Sequence, residues 1–289
     1  MIFTRTLLLN NGLSIPQVGF GCYQVRSSEP FFWALKHGYR HLDSAVFYKN
    51  EQQIGVEVKR AISEIPGLKR EDIFITTKVP PNYQGYDKAR EIIKQSLINF
   101  DLDYIDMVLI HHPSSSGLKH GDPKNKENRH GTWKALEEFV DEGLVKSIGI
   151  SNFQSKHIES LMKVARIKPV VNQFELHPMY VEYETIETCR KYDILVEAYS
   201  PFAQFNKALV ENKVVVGVAK KHGVDVARVI LCYLIAKGFI VLPKSVHEER
   251  IANNIKLEGI NLTEDDIKQL DELGKNNSLK VCWTSDDVE

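Results

Sequence analysis

The chain has 289 residues, 43% of them hydrophobic, and a formal net charge of −1 because 37 basic side chains nearly balance 38 acidic ones. This length is ordinary for one α/β barrel. The balanced charge argues against nucleic acid or a membrane surface as the main partner, because both require a basic face. No apolar run approaches the roughly eighteen residues of a membrane span, so we expect no membrane partner.

The cysteines are far apart in the sequence and form no CxxC pair; they are Cys22, Cys189, Cys232 and Cys282. This usage is typical of a reducing compartment, where disulfides are rare. The first residues contain a short apolar run with no small-residue cleavage site after it, so the sequence predicts no signal peptide. Together these features predict a cytoplasmic protein.

Short apolar segments alternate along the chain with longer amphipathic ones. Residues 1–12 should form a hairpin that turns at Asn10–Gly12 and plugs the floor of a barrel. Eight later segments are predicted as strands: Val18–Tyr23, His41–Ala45, Ile73–Val79, Ile105–His111, Val145–Ser151, Val170–Glu175, Leu195–Ser200 and Phe239–Pro243. Their apolar character is typical of buried parallel strands. Strand–helix alternation repeated eight times predicts an α/β fold, a (β/α)8 TIM barrel with an N-terminal β-hairpin, as a single domain over residues 1–289.

The segments between the strands are mostly helical in pattern. Lys88–Phe100 has its apolar residues on one face, and Thr132–Glu142 ends at Gly143, a residue suited to a helix C-terminus. His112–Gly131 is predicted as a polar loop of about twenty residues, long enough to suggest a functional role. The polar C-terminal tail, residues 276–289, is expected with this loop near the barrel mouth.

Four chemically distinctive side chains follow or end the second, third and fourth predicted strands. They are Asp43, Tyr48, Lys78 and His111. Because the carboxyl ends of parallel barrel strands share one rim, we expect these side chains to converge there.

The types of these four residues point to proton transfer. A tyrosine phenol has an ordinary pKa of about 10. A buried lysine ammonium beside it should lower that pKa, and a neighbouring carboxylate should keep the ammonium charged. A neutral histidine can hydrogen-bond a carbonyl oxygen and orient it. The sequence therefore predicts a general acid beside a substrate carbonyl, which suits reduction of aldehydes or ketones if a hydride donor is bound.

Five stretches of the sequence resemble the motifs of the aldo-keto reductases in the order that this family uses. They are GYRHLDSAVFYKNEQQIG at Gly38–Gly55, TTKV at Thr76–Val79, LIHHP at Leu109–Pro113, KSIGISNF at Lys146–Phe153 and LPKSVHEER at Leu242–Arg250. The resemblance implies a (β/α)8 barrel that reduces carbonyls with a nicotinamide cofactor, using the same four residues for catalysis. It also implies a cofactor site without a Rossmann loop, because Gly19–Gln24 begins like GxGxxG but ends in Gln and is better interpreted as a tight barrel turn.

The resemblance also implies which residues bind the cofactor. Ser151, Asn152 and Gln173 should hold the carboxamide of the nicotinamide, and Tyr199 should stack on its ring. Lys244, Ser245 and Arg250 form an anion site that suits a 2′-phosphate, which favours NADPH over NADH. Asn254 should contact the adenine. The remaining residues in the predicted cofactor set are Ser200 and Val246.

The substrate pocket is predicted to be lined by Tyr23, Phe47, His112 and Trp283. Tyr23 and His112 stand where tryptophan is common in the family, and the stretch FAQFNKAL after Pro201 lacks the usual glycine. A lone tryptophan in a polar tail suggests a lid over the barrel mouth. These features are similar to microbial and fungal members that reduce keto esters, diketo sugars and simple aldehydes.

Two alternatives remain open from the sequence. A barrel of this kind can be a regulatory module that senses cofactor redox state, and Lys78 could form a Schiff base in an aldolase. No metal site is predicted, because the neighbouring His111 and His112 should point to opposite faces of a strand. A closed barrel offers no sheet edge for pairing, so we expect a monomer.

Overall fold

The computed structural model describes residues 3–276 and 278–289. Met1 and Ile2 of the predicted hairpin segment, and Asn277 of the predicted tail, lie outside this part. Its strands in chain order are β1 Thr6–Leu8, β2 Ser14–Pro16, β3 Phe20–Gly21, β4 His41–Asp43, β5 Phe74–Val79, β6 Ile105–Ile110, β7 Val145–Ser151, β8 Val171–Glu175, β9 Leu195–Tyr199 and β10 Ile240–Val241.

Strands β3 to β10 form one parallel sheet in which each strand pairs with its neighbours in the chain. A parallel bridge between Val18 and Val241 joins the first strand to the last. Gly19 N donates to Val241 O at 2.9 Å, and Val241 N donates to Gln17 O at 2.9 Å. The sheet is therefore curled into a barrel, as predicted. The end strands β3 and β10 are shorter than expected. Beyond their ends, the backbone is paired only by this bridge and by single hydrogen bonds.

Helices follow the strands and cover the outside of the barrel. Among the described residues they are α1 Glu29–Lys36, α2 Glu51–Glu64, α3 Tyr86–Phe100, α4 Lys124–Asp141, α5 Ser155–Met162, α6 Tyr183–Lys191, α7 Lys207–Val210, α8 Lys213–His222, α9 Val226–Ala236, α10 Glu248–Asn254 and α11 Glu264–Asn276. Gly55 lets α2 approach the end of α3, since a Cβ there would lie 2.0 Å from Phe100 O. This close approach explains the glycine that ends the first family-like stretch.

Helix α4 corrects one sequence prediction, because it begins at Lys124 and not at Thr132. The predicted long polar loop is therefore shorter. Asn125 and Arg129 of the extra turns are buried. Asn125 donates to the carbonyls of Lys119 and His120, at 2.8 and 3.0 Å. The buried face of these turns is polar, so hydrophobic periodicity did not reveal it. At the other end, Gly143 takes the expected positive φ of 74°.

The hairpin of β1 and β2 closes the bottom of the barrel, as predicted. Thr6 pairs with Pro16 in antiparallel register. Asn10 Nδ2 donates to Pro169 O and to Asp193 O, both at 2.9 Å. Leu9 and Ile15 are buried in the cluster that fills the lower barrel interior, where Met107, Leu109 and Ile240 also lie. The upper end, where the strands terminate, is left for the site.

Candidate active site

A buried ion pair forms the base of the site. Lys78 on β5 and Asp43 on the neighbouring β4 point into the barrel, and Lys78 is fully buried. Lys78 Nζ donates to Asp43 Oδ1 at 2.7 Å, to Asp43 Oδ2 at 2.8 Å and to Ser44 O at 2.8 Å. An ammonium has three hydrogens, so these three oxygens use its donor capacity.

Tyr48 and His111 lie above this pair. Tyr48 ends a 3₁₀ turn, Val46–Tyr48, that follows β4 directly, and Lys78 Nζ lies 5.1 Å from the centroid of its ring. His111 comes immediately after β6, and its ring centroid is 5.8 Å from that of Tyr48. The four residues predicted to be catalytic are thus brought together at one end of the barrel.

The pKa of Tyr48 differs from the sequence expectation. Burial, followed by the charge of Asp43, raises the pKa of the phenol well above 10, so the predicted lowering by Lys78 is wrong in this structure. The physical reason is that the ammonium hydrogens are directed to Asp43 and Ser44, while the packing around the partly buried ring disfavours its charged form. Burial and the charge of Lys78 lower the pKa of His111 well below 6.5. Its imidazole is therefore neutral at physiological pH.

The residues predicted to hold the carboxamide form a connected network beside the catalytic group. Asn152, which has a left-handed φ of 61°, donates from Nδ2 to His111 O at 2.8 Å and to Ser151 Oγ at 3.1 Å. Tyr199 OH donates to Asn152 Oδ1 at 2.7 Å. Gln173 Nε2 donates to Asp43 Oδ1 at 2.8 Å. Asn152 and Gln173 therefore contact two of the predicted catalytic residues directly, and Tyr199 of β9 joins them through Asn152.

The predicted phosphate-binding residues lie after β10 and on α10. Lys244 and Arg250 are exposed, and neither forms an ion pair with any residue that the structure describes. Ser245 Oγ accepts a hydrogen bond from the backbone N–H of His247 at 3.1 Å. Val246 is exposed beside them, and Asn254 is buried. The two cations are therefore available to an anionic group.

Aromatic rings surround the mouth above the catalytic residues. Trp283 of the tail lies 5.1 Å from His111, 6.1 Å from Phe47 and 5.7 Å from His112, measured between ring centroids. Tyr23 packs on the other side, 5.0 Å from the ring of Tyr48. Tyr23, Phe47 and Trp283 are about half exposed, at 49%, 53% and 44%. His112 is buried, so it packs beneath these exposed rings and does not itself face the opening.

The tail is attached to the barrel on both sides of Trp283. Glu175, at the end of β8, accepts hydrogen bonds from Val281 N at 2.8 Å and Cys282 N at 2.7 Å. Beyond the tryptophan, Ser285 Oγ donates to Asn152 O at 2.8 Å. The sequence reasoning missed Glu175, although an acidic residue ending an apolar strand is a signal that could have identified it.

Two further residues were missed. Ser44 contributes only its backbone carbonyl, which no side-chain pattern reveals. Glu197 is fully buried in β9 and accepts a hydrogen bond from Gln173 at 2.7 Å; an acid inside an apolar strand was its signal. Ser200, which was predicted to bind cofactor, has a positive φ of 47° and its Oγ lies 3.4 Å from Cys282 Sγ.

Neither clustered metal ligands nor a long apolar helix occurs in residues 3–276 and 278–289. No group of three or more His, Cys, Asp or Glu side chains there is arranged to hold a metal ion. His112 Nε2 donates to Thr284 O at 3.2 Å, and its Nδ1 pairs with Ser114 Oγ at 2.8 Å. In the same part of the chain, no helix is long and apolar enough to span a bilayer.

The profile of the Aldo/keto reductase family matches residues 33–275. The chain is 38% identical over 278 residues to the glyoxal reductase of Bacillus subtilis (strain 168), and the match covers 95% of this chain and 94% of that protein. It is 37% identical over 299 residues to an aldehyde reductase of Saccharomyces cerevisiae, covering 96% of this chain and 93% of that protein.

Solved structures extend this similarity to the backbone. An aldo-keto reductase from a deep-sea metagenome library has a TM-score of 0.87 and 35% identity, covering 99% of this chain and 100% of that chain. The Bombyx mori aldo-keto reductase, solved in complex with NADP, has a TM-score of 0.88 and 30% identity, covering 99% and 97%. Similarity over the whole barrel, together with the family match, shows that the chain belongs to the aldo/keto reductase family.

Proposed function

We propose that this chain reduces aldehydes and ketones to alcohols, with NADPH as hydride donor and Tyr48 as proton donor. The observation that supports this most directly is the buried Lys78 ammonium, held 2.7 Å from Asp43 and 5.1 Å from the centre of the Tyr48 ring. With His111 beside them, these side chains surround one position at the barrel mouth. A carbonyl oxygen at that position can accept a proton from Tyr48.

NADPH supplies a hydride to the carbonyl carbon when it is bound. Ser151, Asn152 and Gln173 offer hydroxyl, amide and carbonyl groups that suit its carboxamide, and Tyr199 offers a ring face. The exposed and unpaired cations Lys244 and Arg250, with Ser245, Val246 and Asn254 near them, suit its phosphates and adenine. This set of donors fits the cofactor, and the chain is an NADPH-dependent oxidoreductase.

The proton follows a short path. The neutral imidazole of His111 donates a hydrogen bond to the substrate carbonyl oxygen and orients it. As the carbon gains the hydride, the π electrons of the C=O bond move to oxygen, which takes the proton of Tyr48 OH. The phenolate left behind is stabilised by the Lys78 ammonium, and solvent returns the proton afterwards. Asp43 keeps the ammonium in place throughout.

The substrate class follows from the mouth of the barrel and from the relatives. Tyr23, Phe47 and Trp283 present half-exposed rings, which suit an apolar substituent on the carbonyl. The relatives described above include a glyoxal reductase and an aldehyde reductase. We propose small aldehydes and aromatic aldehydes as substrates, with the tail around Trp283 as part of the pocket and residues 1–289 acting as one barrel domain.

A Schiff-base aldolase is not favoured, because Lys78 Nζ is fully buried and donates to three oxygens. The test is to follow absorbance of the reduced nicotinamide band after adding an aldehyde. The proposal requires NADPH consumption with one alcohol formed per NADPH. Aldehyde-independent binding of NADPH without turnover would instead indicate a regulatory module, and carbon–carbon cleavage without cofactor would indicate an aldolase.

Two proposals concern the state of the protein in the cell. The four cysteines are unpaired, and three of them are buried, which suits the reducing cytoplasm. The parallel sheet is closed by the Val18–Val241 bridge, so the barrel presents no open sheet edge. We therefore propose a cytoplasmic monomer that acts on small molecules.

A further inference from the structure

Glu197 is a buried carboxyl group that the proposed reaction does not use directly. It lies on β9 in register with Gln173 on β8, and both side chains are buried. Gln173 Nε2 donates to Glu197 Oε2 at 2.7 Å and to Asp43 Oδ1 at 2.8 Å. One amide therefore bridges a catalytic carboxylate and a second carboxyl group deeper in the barrel.

The bridge determines which way the Gln173 amide faces. Nε2 carries two hydrogens, and the oxygens of Asp43 and Glu197 accept one each. The reversed amide would direct Oε1 at two carboxyl oxygens, which is repulsive because an amide oxygen is an acceptor. The observed orientation turns Oε1 away from both, and Oε1 accepts no hydrogen bond from any described residue. Ser151 pairs with Gln173 across β7 and β8, so this free acceptor lies beside another predicted carboxamide contact.

The far side of Glu197 faces a histidine. Glu197 Oε1 lies 3.8 Å from His41 Nδ1, and these two buried atoms have no hydrogen-bond partner in the described part of the chain. Space for the imidazole exists because residue 19 is glycine; a Cβ there would lie 2.5 Å from His41 Nδ1. This packing, and not a dinucleotide loop, explains Gly19 in the GxG-like segment.

Both members of this facing pair are neutral. Burial and the charge of Asp43 raise the pKa of Glu197 to about 8, against smaller opposing effects of Gln173 and Lys78. Burial and the charge of Lys78 lower the pKa of His41 to about 3. The carboxyl group keeps an acceptor lone pair at Oε2 in either protonation state, so the bridge through Gln173 does not depend on ionisation of Glu197.

We propose that Glu197 is a positioning residue: with Asp43 it holds the Gln173 amide so that Oε1 is presented as a hydrogen-bond acceptor to the carboxamide NH2 of the nicotinamide. This inference rests on the proposed function, because it assumes that the cofactor carboxamide lies at Gln173. The orientation of the carboxamide, and with it of the ring, then depends on a residue that touches neither cofactor nor substrate.

The test compares two oxidised cofactors. NADP⁺ has a carboxamide NH2, whereas its 3-acetylpyridine analogue has a methyl group there and cannot donate to Gln173 Oε1. Dissociation constants of both are measured by calorimetry for the wild type, Glu197→Gln, Glu197→Met and Glu197→Val. The matched control is Glu137→Gln, because Glu137 is also buried but accepts only from Arg166 N and Ile167 N on the outside of the barrel, at 2.7 and 2.8 Å.

The wild type and Glu137→Gln should bind NADP⁺ roughly tenfold more tightly than the analogue, because the analogue leaves the buried acceptor Oε1 unpaired; this ratio corresponds to about 1.4 kcal/mol. Glu197→Gln keeps an acceptor for Gln173 and should retain most of this ratio. In Glu197→Met and Glu197→Val only Asp43 still holds the amide, so the reversed orientation becomes less unfavourable and the ratio should fall below that of the wild type.

Several outcomes would overturn the inference. An unchanged ratio in the apolar variants, or equal losses for both cofactors, would give Glu197 a structural role only. Equal binding of both cofactors by the wild type would also overturn it, because no acceptor would then be presented at Oε1. Absence of NADP⁺ binding to the wild type would instead reject the proposed function.

Discussion

Tyr48 keeps its proton across the neutral range because burial and the Asp43 carboxylate both raise the pKa of its phenol. The Lys78 ammonium, 5.1 Å from the centre of the Tyr48 ring, acts in the opposite direction because it stabilises the phenolate. Burial and Asp43 outweigh it, so the free phenol stays protonated. The proposed donor role of Tyr48 then requires that the proton is lost only as negative charge develops on a bound carbonyl oxygen.

Tyr48→Phe should lower kcat for aldehyde reduction by about 10²–10⁴, the usual loss when a general acid is removed. NADPH binding should stay within about twofold of the wild type, because a phenyl ring preserves the packing against Tyr23 and His111. Stopped-flow reduction and NADPH titration measure the two quantities. Full turnover in this variant would assign the proton to another donor.

Arg250→Ala should weaken NADPH binding by about tenfold to a hundredfold, because a hydrogen bond to a charged group contributes about 1.5–3 kcal/mol. NADH has no 2′-phosphate and should bind nearly as before. Fluorescence titration with both cofactors provides the comparison, and Arg228→Ala is a control, since its guanidinium pairs with Asp225 on α9. Equal losses for NADPH and NADH would make Arg250 structural.

The C-terminal tail and the end of β8 act together as one element. The Glu175 carboxylate accepts the amides of Val281 and Cys282, and the Asn152 carbonyl accepts the hydroxyl of Ser285. Trp283 lies between these attachments. Its indole therefore has a fixed position over His111, although its side chain belongs to a polar tail.

Trp283→Ala should raise KM for aromatic aldehydes several-fold more than for short aliphatic ones, because aromatic packing contributes about 0.5–1.5 kcal/mol beyond area burial. NADPH affinity should change little. Trp283→Phe retains a ring and should lie between the two. Steady-state kinetics over a series of aldehydes measures the effect; a uniform change across the series, or a loss of thermal stability alone, would limit Trp283 to anchoring the tail.

The free energy of unfolding of the whole barrel should depend on pH because Glu197 is buried. The pKa of Glu197 is raised to about 8 in the folded chain, while a glutamate in the unfolded chain has a pKa of about 4.3. Between these values the folded state holds a proton that the unfolded state has lost, so rising pH favours unfolding by up to about 1.4 kcal/mol per pH unit. Above pH 8 both states are ionised and the dependence ends.

Glu197→Gln removes this titration, so its stability relative to the wild type should increase from pH 5 to pH 8. The buried histidines act in the opposite direction below pH 6.5, since burial lowers the pKa of His41 to about 3 and of His112 to about 4. They are present in both proteins and cancel in the difference. Urea denaturation at pH 5, 6.5 and 8 provides the measurement; a pH-independent difference would show that Glu197 is ionised in the folded chain.

The intact protein should sediment as a monomer of about 33.0 kDa at micromolar concentration. The physical reason is that the sheet of β3 to β10 closes on itself through the Val18–Val241 bridge, so the barrel strands that the structure describes offer no open edge to a second copy. Sedimentation velocity at two concentrations checks this. A species near twice the chain mass would place a dimer interface on the helix surfaces.

The barrel and the convergence of the four predicted catalytic side chains could be predicted from the sequence because their signals are local. An apolar run indicates a buried strand, an amphipathic run indicates a helix, and parallel strands place their last residues on one rim. Asp43, Lys78 and His111 were therefore expected together before any distance was known. The N-terminal hairpin was equally local, since a turn-forming Asn-Asn-Gly stands between two short apolar runs.

Helix α4 was misjudged at its start, and Glu175 and Glu197 were overlooked, because their roles depend on groups far away in the chain. Glu197 binds Gln173 and faces His41, and Glu175 binds amides of the C-terminal tail. The direction of the Tyr48 pKa shift also depends on burial and on where the Lys78 hydrogens point. Residue type and spacing set which groups reach the rim, whereas desolvation and hydrogen-bond partners, which set their chemistry, exist only once the barrel has closed.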